Sequence, residues 1–218
     1  MQHTALFRHV RHFALAASLV CLGATAHAVP DAQFQAAFQQ FIQASAGDTA
    51  AIDGAAEAFA GLLKVEPANP VLMAYTGSAT AMKAADTMLP WKKMGYAEDG
   101  MAQLDKALAM LNASHDAPMQ RGTPGVLEVK FVAANTFLAV PGFMNRKERG
   151  MKLLADVLAS PLFATAPLPF KGTVWLKAAT EATKASNTAE AKRYLGLIVE
   201  QHAPQEPKAQ ELLKGLTS

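Results

Sequence analysis

The run Ser114-His115-Asp116 holds the three residue types of a nucleophilic triad. In such a triad the histidine takes the serine proton while the aspartate orients the histidine, so the three must converge in space. Neighbours in a polar stretch do not converge in that way, and the run reads as a loop. Metal chemistry has as little support. A metal site needs three or four ligands at short spacing, whereas Cys21 is the one cysteine and, past the first 28 residues, only His115 and His202 remain of six histidines. No glycine-rich phosphate loop occurs. The sequence therefore predicts no catalytic residue, no metal and no cofactor. Asn112-Ala113-Ser114 fits a glycosylation acceptor, which has meaning only in a eukaryotic secretory route.

Residues suited to binding are more concentrated. Pro90-Trp91-Lys92-Lys93-Met94-Gly95-Tyr96 and Pro141-Gly142-Phe143-Met144-Asn145-Arg146-Lys147 each follow an apolar helix-like segment. Both read as loops joining the first helix of a pair to the second, which would place them side by side on one edge. Trp91, Lys92, Lys93, Tyr96, Phe143 and Arg146, with Arg149 nearby, would then form a basic, aromatic surface of the kind that dominates protein interfaces. The competing reading folds Trp91 and Phe143 back as plugs of the core. Asp86 ends the preceding helix, where a carboxylate opposes the helix dipole, so Lys92 or Lys93 is expected to pair with it.

The first 28 residues carry an address. Arg8 and Arg11 precede an uncharged apolar run from Ala14 to about Ala26, which closes on Ala26-His27-Ala28. A basic start, a short apolar centre and a small-x-small site define a secretory signal peptide. The run is too short and alanine-rich for a membrane anchor, which needs about 20 apolar residues. Ser18-Leu19-Val20 before Cys21 lacks the small residue expected beside a lipidated cysteine. Cleavage is expected between Ala28 and Val29, leaving 29–218 as one domain in the periplasm or outside the cell. The leader removes Cys21 and two of the 20 basic residues, so the mature chain balances its 18 acidic ones. Neutrality gives no electrostatic case for nucleic acid, and no membrane span is expected after cleavage.

The elements that position these residues are helical. Apolar residues recur three and four apart, as in Phe34, Phe38, Phe41 and Ile42, or Leu104, Leu108 and Leu111, the period of an amphipathic helix. Glycine and proline breakers divide the chain into helices near 31–46, 48–65, 70–88, 95–111, 124–139, 145–159, 170–185 and 188–202, with a short ninth from Pro207 to Leu216. An internal repeat is visible. Glu98-Asp99-Gly100-Met101 matches Glu148-Arg149-Gly150-Met151, and Leu104, Leu108 and Ala109 match Leu154, Leu158 and Ala159. Each block follows a proline joint, Leu89-Pro90 or Val140-Pro141.

The repeat resembles the tetratricopeptide (TPR) pattern. Its last pair carries Trp175, Ala179, Ala182 and Ala191, then Leu195, Ile198 and Val199, with Pro204 near the end. The first pair carries Ala55, Phe59, Leu62, Leu63 and Pro67 in matching order. Equivalent small residues Ala55, Gly100, Gly150 and Ala191 lie 45, 50 and 41 apart, against about 34 in the family, so the resemblance is to a degenerate form. It implies an all-α, right-handed antiparallel helix-pair solenoid of about four pairs with a capping helix. The segments Tyr75-Thr76-Gly77-Ser78-Ala79, Leu89-Pro90-Trp91-Lys92-Lys93 and Asn145-Arg146 also look like those of a group of exported bacterial repeat proteins, a likeness that implies no activity.

In such a solenoid first helices line a concave face, which would carry Tyr75, Lys83, Asp86, Lys130, Asn135 and Lys177. The expected function is a non-enzymatic scaffold for a protein or peptide partner. Two alternatives stand beside it: a ligand carrier or enzyme using Asp86, Glu98 or Glu128, and a structural subunit of an envelope assembly. Converging carboxylates in a closed cavity would favour the first alternative, and an open groove beside an exposed Trp91 would favour the scaffold.

Overall fold

The computed structural model describes residues 29–216. The expected leader, with Arg8, Arg11, Cys21 and the expected cleavage site Ala26-His27-Ala28, lies outside the described residues. Strong helix formers dominate the chain, and the described residues form ten α-helices and no strand beyond an isolated bridge between Pro118 and Pro124. The helices are α1 (Asp31–Ser45), α2 (Ala50–Val65), α3 (Pro70–Asp86), α4 (Pro90–Ala109), α5 (Gly125–Phe137), α6 (Lys147–Leu158), α7 (Pro161–Thr165), α8 (Leu168–Lys184), α9 (Thr188–Glu200) and α10 (Glu206–Gly215). None is long and apolar enough to cross a membrane.

Proline and asparagine set several helix starts. Asn69 caps α3 by accepting from the Val71 and Leu72 amides at 2.9 and 3.2 Å, and Pro70 begins the first turn. Asn187 accepts from the Glu190 amide to cap α9. Pro90 starts a helix where a loop is expected from the sequence. Its fixed φ suits a first helical position, and the Lys93 amide donates to the Leu89 carbonyl at 2.9 Å. Trp91 to Tyr96 are therefore the opening turns of α4, not a loop. The Pro161–Pro169 joint likewise contains the short helix α7, whose Phe163 packs edge-on against Phe170 and Trp175.

Consecutive helices pack as α1 with α2, α3 with α4, α5 with α6 and α8 with α9, while α3 also touches α2 and α5. The four small residues aligned from sequence are all buried on the second members of these pairs. Gly100 is pressed against α3: a Cβ there would lie 2.5 Å from the Gly77 carbonyl oxygen and 2.7 Å from the Ala81 nitrogen. Gly150 meets α5, where a Cβ would lie 2.8 Å from Leu138 Cγ and 3.2 Å from the Ala134 oxygen. The shared sequence block thus has one shared task, close approach of a second helix to the first.

One continuous core joins the pairs. Its densest part is aromatic: Tyr75 stacks on Phe59 at 4.8 Å and meets Phe34, Phe38 and Phe41 edge-on. Such ring pairs add about 0.5–1.5 kcal/mol beyond area burial.

An apolar groove and its rim

The alanine-rich end of α3 has too little side-chain volume to fill the space between its neighbours. Ala81, Ala84 and Ala85, with Ala44, Ala97 and Ala139, line a cavity of about 590 Å³. A second cavity of about 300 Å³ shares Ser45, Ser78 and Asn135 with it and continues toward Phe131 and Phe170. Together they form a groove lined by α1, α3, α5 and α8, the first helix of each pair, and by the opening turns of α4. At the junction the Thr136 hydroxyl donates to the Val132 carbonyl at 2.9 Å, so Ser78 is the donor in its 2.8 Å bond to Thr136. Asn135 lies beside them, half-buried.

The charges of the lining have one sign. Among the described residues, Lys93 in the first cavity and Arg121 in the second are its only ionic side chains, and no carboxylate joins them. Arg121 sits in a turn with φ of +59°, its guanidinium 3.7 Å from the centre of the Phe38 ring. It donates to Glu128 Oε1 at 3.1 Å, and the Tyr75 hydroxyl donates to the same oxygen at 2.8 Å. Burial pushes the Glu128 carboxyl above its usual range, with Arg121 and Tyr75 opposing. Burial and the nearby Glu128 together raise the Tyr75 hydroxyl well above its own. Sequence reasoning finds Glu128 but misses Arg121, which stands in an irregular segment with no periodicity to mark it.

A raised folded-state pKa means that the native protein holds the proton more tightly than the unfolded chain. Wild type should therefore gain stability relative to Glu128→Gln as pH falls from 7 toward 5, read by parallel thermal melts. A deficit that widens on acidification would mean that Arg121 holds the carboxylate ionised.

The two segments predicted to lie side by side do meet. Pro90, Lys93 and Met94 of α4 and Pro141, Phe143 and Met144 of the turn before α6 line the same cavity. Trp91 is 70% exposed and Phe143 67%, so neither is a core plug. Met88, Leu89 and Met94 are exposed too, which places five of the eight exposed large apolar side chains among the described residues along this rim. Lys92 is exposed on the same helix.

Other predicted residues lie elsewhere. Tyr75, expected on an open face, is buried, because its ring completes the aromatic cluster. Lys83 points away to Asp53, 2.7 Å distant, and lies over the half-buried Tyr96 ring; the Asp53 bond holds its ammonium above the usual range. Lys130 faces a separate shallow cavity with Arg149 and Asp116. Lys177 pairs with the buried Glu181 at 3.1 Å, and burial lowers its pKa. Asp86 is exposed, and no ion pair among the described residues joins it to Lys92 or Lys93. His115 Nδ1 accepts from the Asn112 amide at 3.1 Å inside a one-turn 3₁₀ helix, so Ser114-His115-Asp116 is a cap and not a triad.

Arg146 is held more firmly than a free surface cation. It contacts Asp105 at 3.0 Å, as Arg149 does at 2.5 Å, and both guanidiniums lie 5.3 Å from the Phe137 ring centre. Arg146→Ala should cost about 0.5–1 kcal/mol, or roughly 1–4 °C in a melt for a chain of this size. An unchanged melting temperature would free Arg146 for a surface role.

No protein family, curated protein or solved structure matches this chain.

Proposed function

We propose that this is an exported, non-enzymatic binding scaffold, a right-handed TPR-like solenoid whose groove and rim hold an apolar, acidic segment of a protein or peptide partner. The observation that carries the reading is the groove itself: an apolar lining that carries Lys93 and the Glu128-paired Arg121 and no carboxylate of its own among the described residues, opening beside exposed Trp91 and Phe143. First helices line the concave face of a helix-pair solenoid, and α1, α3, α5 and α8 supply most of this groove, with the opening turns of α4 beside them. Exposed aromatics anchor partners, and a one-signed lining selects the opposite charge. Of the carboxylates considered for catalysis, Asp86, Glu98 and Glu128, none lines the groove. The cavity of about 590 Å³ also lies within the range of small-molecule sites, about 300–1,000 Å³, which supports a second reading as a carrier of an apolar acid.

The test places a photo-crosslinking side chain at Phe143, and as a control at Lys208 on α10, in protein exported by its native cell. Phe143 should yield a discrete protein adduct that Lys208 does not, and Lys93→Glu should weaken it about tenfold. Equal adducts from both positions would remove the groove as the site. A tightly held small molecule in native mass spectrometry would favour the carrier. N-terminal sequencing of the exported protein should begin at Val29; retention of Met1 would overturn the export reading.

A further inference from the structure

Val29 is held firmly by its surroundings. Its side chain is 5% exposed and belongs to the core, and its backbone nitrogen donates to Glu66 Oε1. Glu66 is aimed at that nitrogen by a fixed neighbour. Its other oxygen, Oε2, accepts from Asn69 Nδ2 at 2.7 Å. Asn69 is itself 8% exposed and locked, because its Oδ1 caps α3 through the Val71 and Leu72 amides. A cap, a buried amide and a carboxylate therefore line up behind one backbone nitrogen.

We infer that Glu66 and Asn69 form a socket for the α-ammonium group released at Val29 when the leader is removed, an inference that rests on the export reading. Hydrolysis of the Ala28–Val29 peptide bond leaves a carboxylate on Ala28 and an amine on Val29. That amine takes up a proton near neutral pH, since an α-amino group titrates at about 7.7–8.0. The nitrogen facing Glu66 then changes from a neutral amide into a cation with three protons. A bond between charged groups is shorter and stronger than one to an amide. Asp31, exposed two residues further on, adds attraction of the same sign, and Lys64 is the nearest opposing cation in sequence. Processing thus turns a contact with a neutral amide into one with a cation.

The experiment uses exported protein whose N-terminus is verified by mass. One variant inserts a glycine between Ala28 and Val29, so that processing leaves an extra residue ahead of Val29. The second is Glu66→Gln, which keeps an acceptor for Asn69 but loses the charge, and the third combines both. Each single change should lower the melting temperature by about 2–4 °C, and the combination should fall no further than one alone. Additive losses, or no loss from the insertion, would overturn the socket while leaving export standing. Wild-type protein that does not begin at Val29 would overturn the socket and the export reading together.

Discussion

Gly100→Ala is expected to destabilise the protein by about 1–3 kcal/mol, the cost of overpacking a close-packed contact, and Gly100→Leu by more. The physical ground is that the obstacle is backbone. A Cβ at Gly100 would lie 2.5 Å from the Gly77 carbonyl oxygen, and one at Gly77 would lie 2.7 Å from the Gly100 oxygen. Neither oxygen can rotate aside as a side-chain terminus could, so α3 and α4 would have to separate. Gly95 on the same helix is the control, because nothing lies within 4 Å of its added Cβ. Glycine inside a helix costs about 0.5–1 kcal/mol relative to alanine, so Gly95→Ala should raise stability. Thermal and urea melts of the two variants should move in opposite directions. A rise for both would dissolve the claim that Gly100 is the contact point of a helix pair.

Removing the exposed aromatic rim should abolish partner capture while leaving the fold intact. Trp91→Ala with Phe143→Ala deletes two side chains that are 70% and 67% exposed, so little buried area is lost. A buried aromatic truncated to alanine would cost about 3–5 kcal/mol; this double variant should melt within about 2 °C of wild type. Capture by the photo-crosslinker, placed at Met94 for this purpose, should fall at least about tenfold, the scale of a hot-spot deletion. A large drop in melting temperature would return Trp91 or Phe143 to the core. Normal stability with undiminished crosslinking would remove the rim from the binding site.

Local rules account for most of what is legible in the order of the residues. Helices α1, α2, α3, α5, α6, α8, α9 and α10 follow apolar spacing and breakers to within a few residues. α4 departs because Pro90 reads as a joint, although proline is as much at home in a first helical turn. α7 departs because a single turn between prolines carries no period to detect. The correspondence of Gly100 with Gly150 is readable because two copies of one packing task leave two copies of one local pattern.

What the sequence by itself determined is therefore whatever a segment settles with its own neighbours: helical class and the placing of most joints. Tertiary structure alone decided which polar side chains face the groove. Tyr75 and Lys83 sit on α3 and Arg146 at the start of α6, where sequence offers the same reading for a surface residue and a paired one. Their fates were set by partners 53, 30 and 41 residues away, in Glu128, Asp53 and Asp105. The groove is likewise a tertiary property. It exists because short alanine side chains on separate helices face one another, and an alanine announces in sequence neither the space it leaves nor the helix across from it.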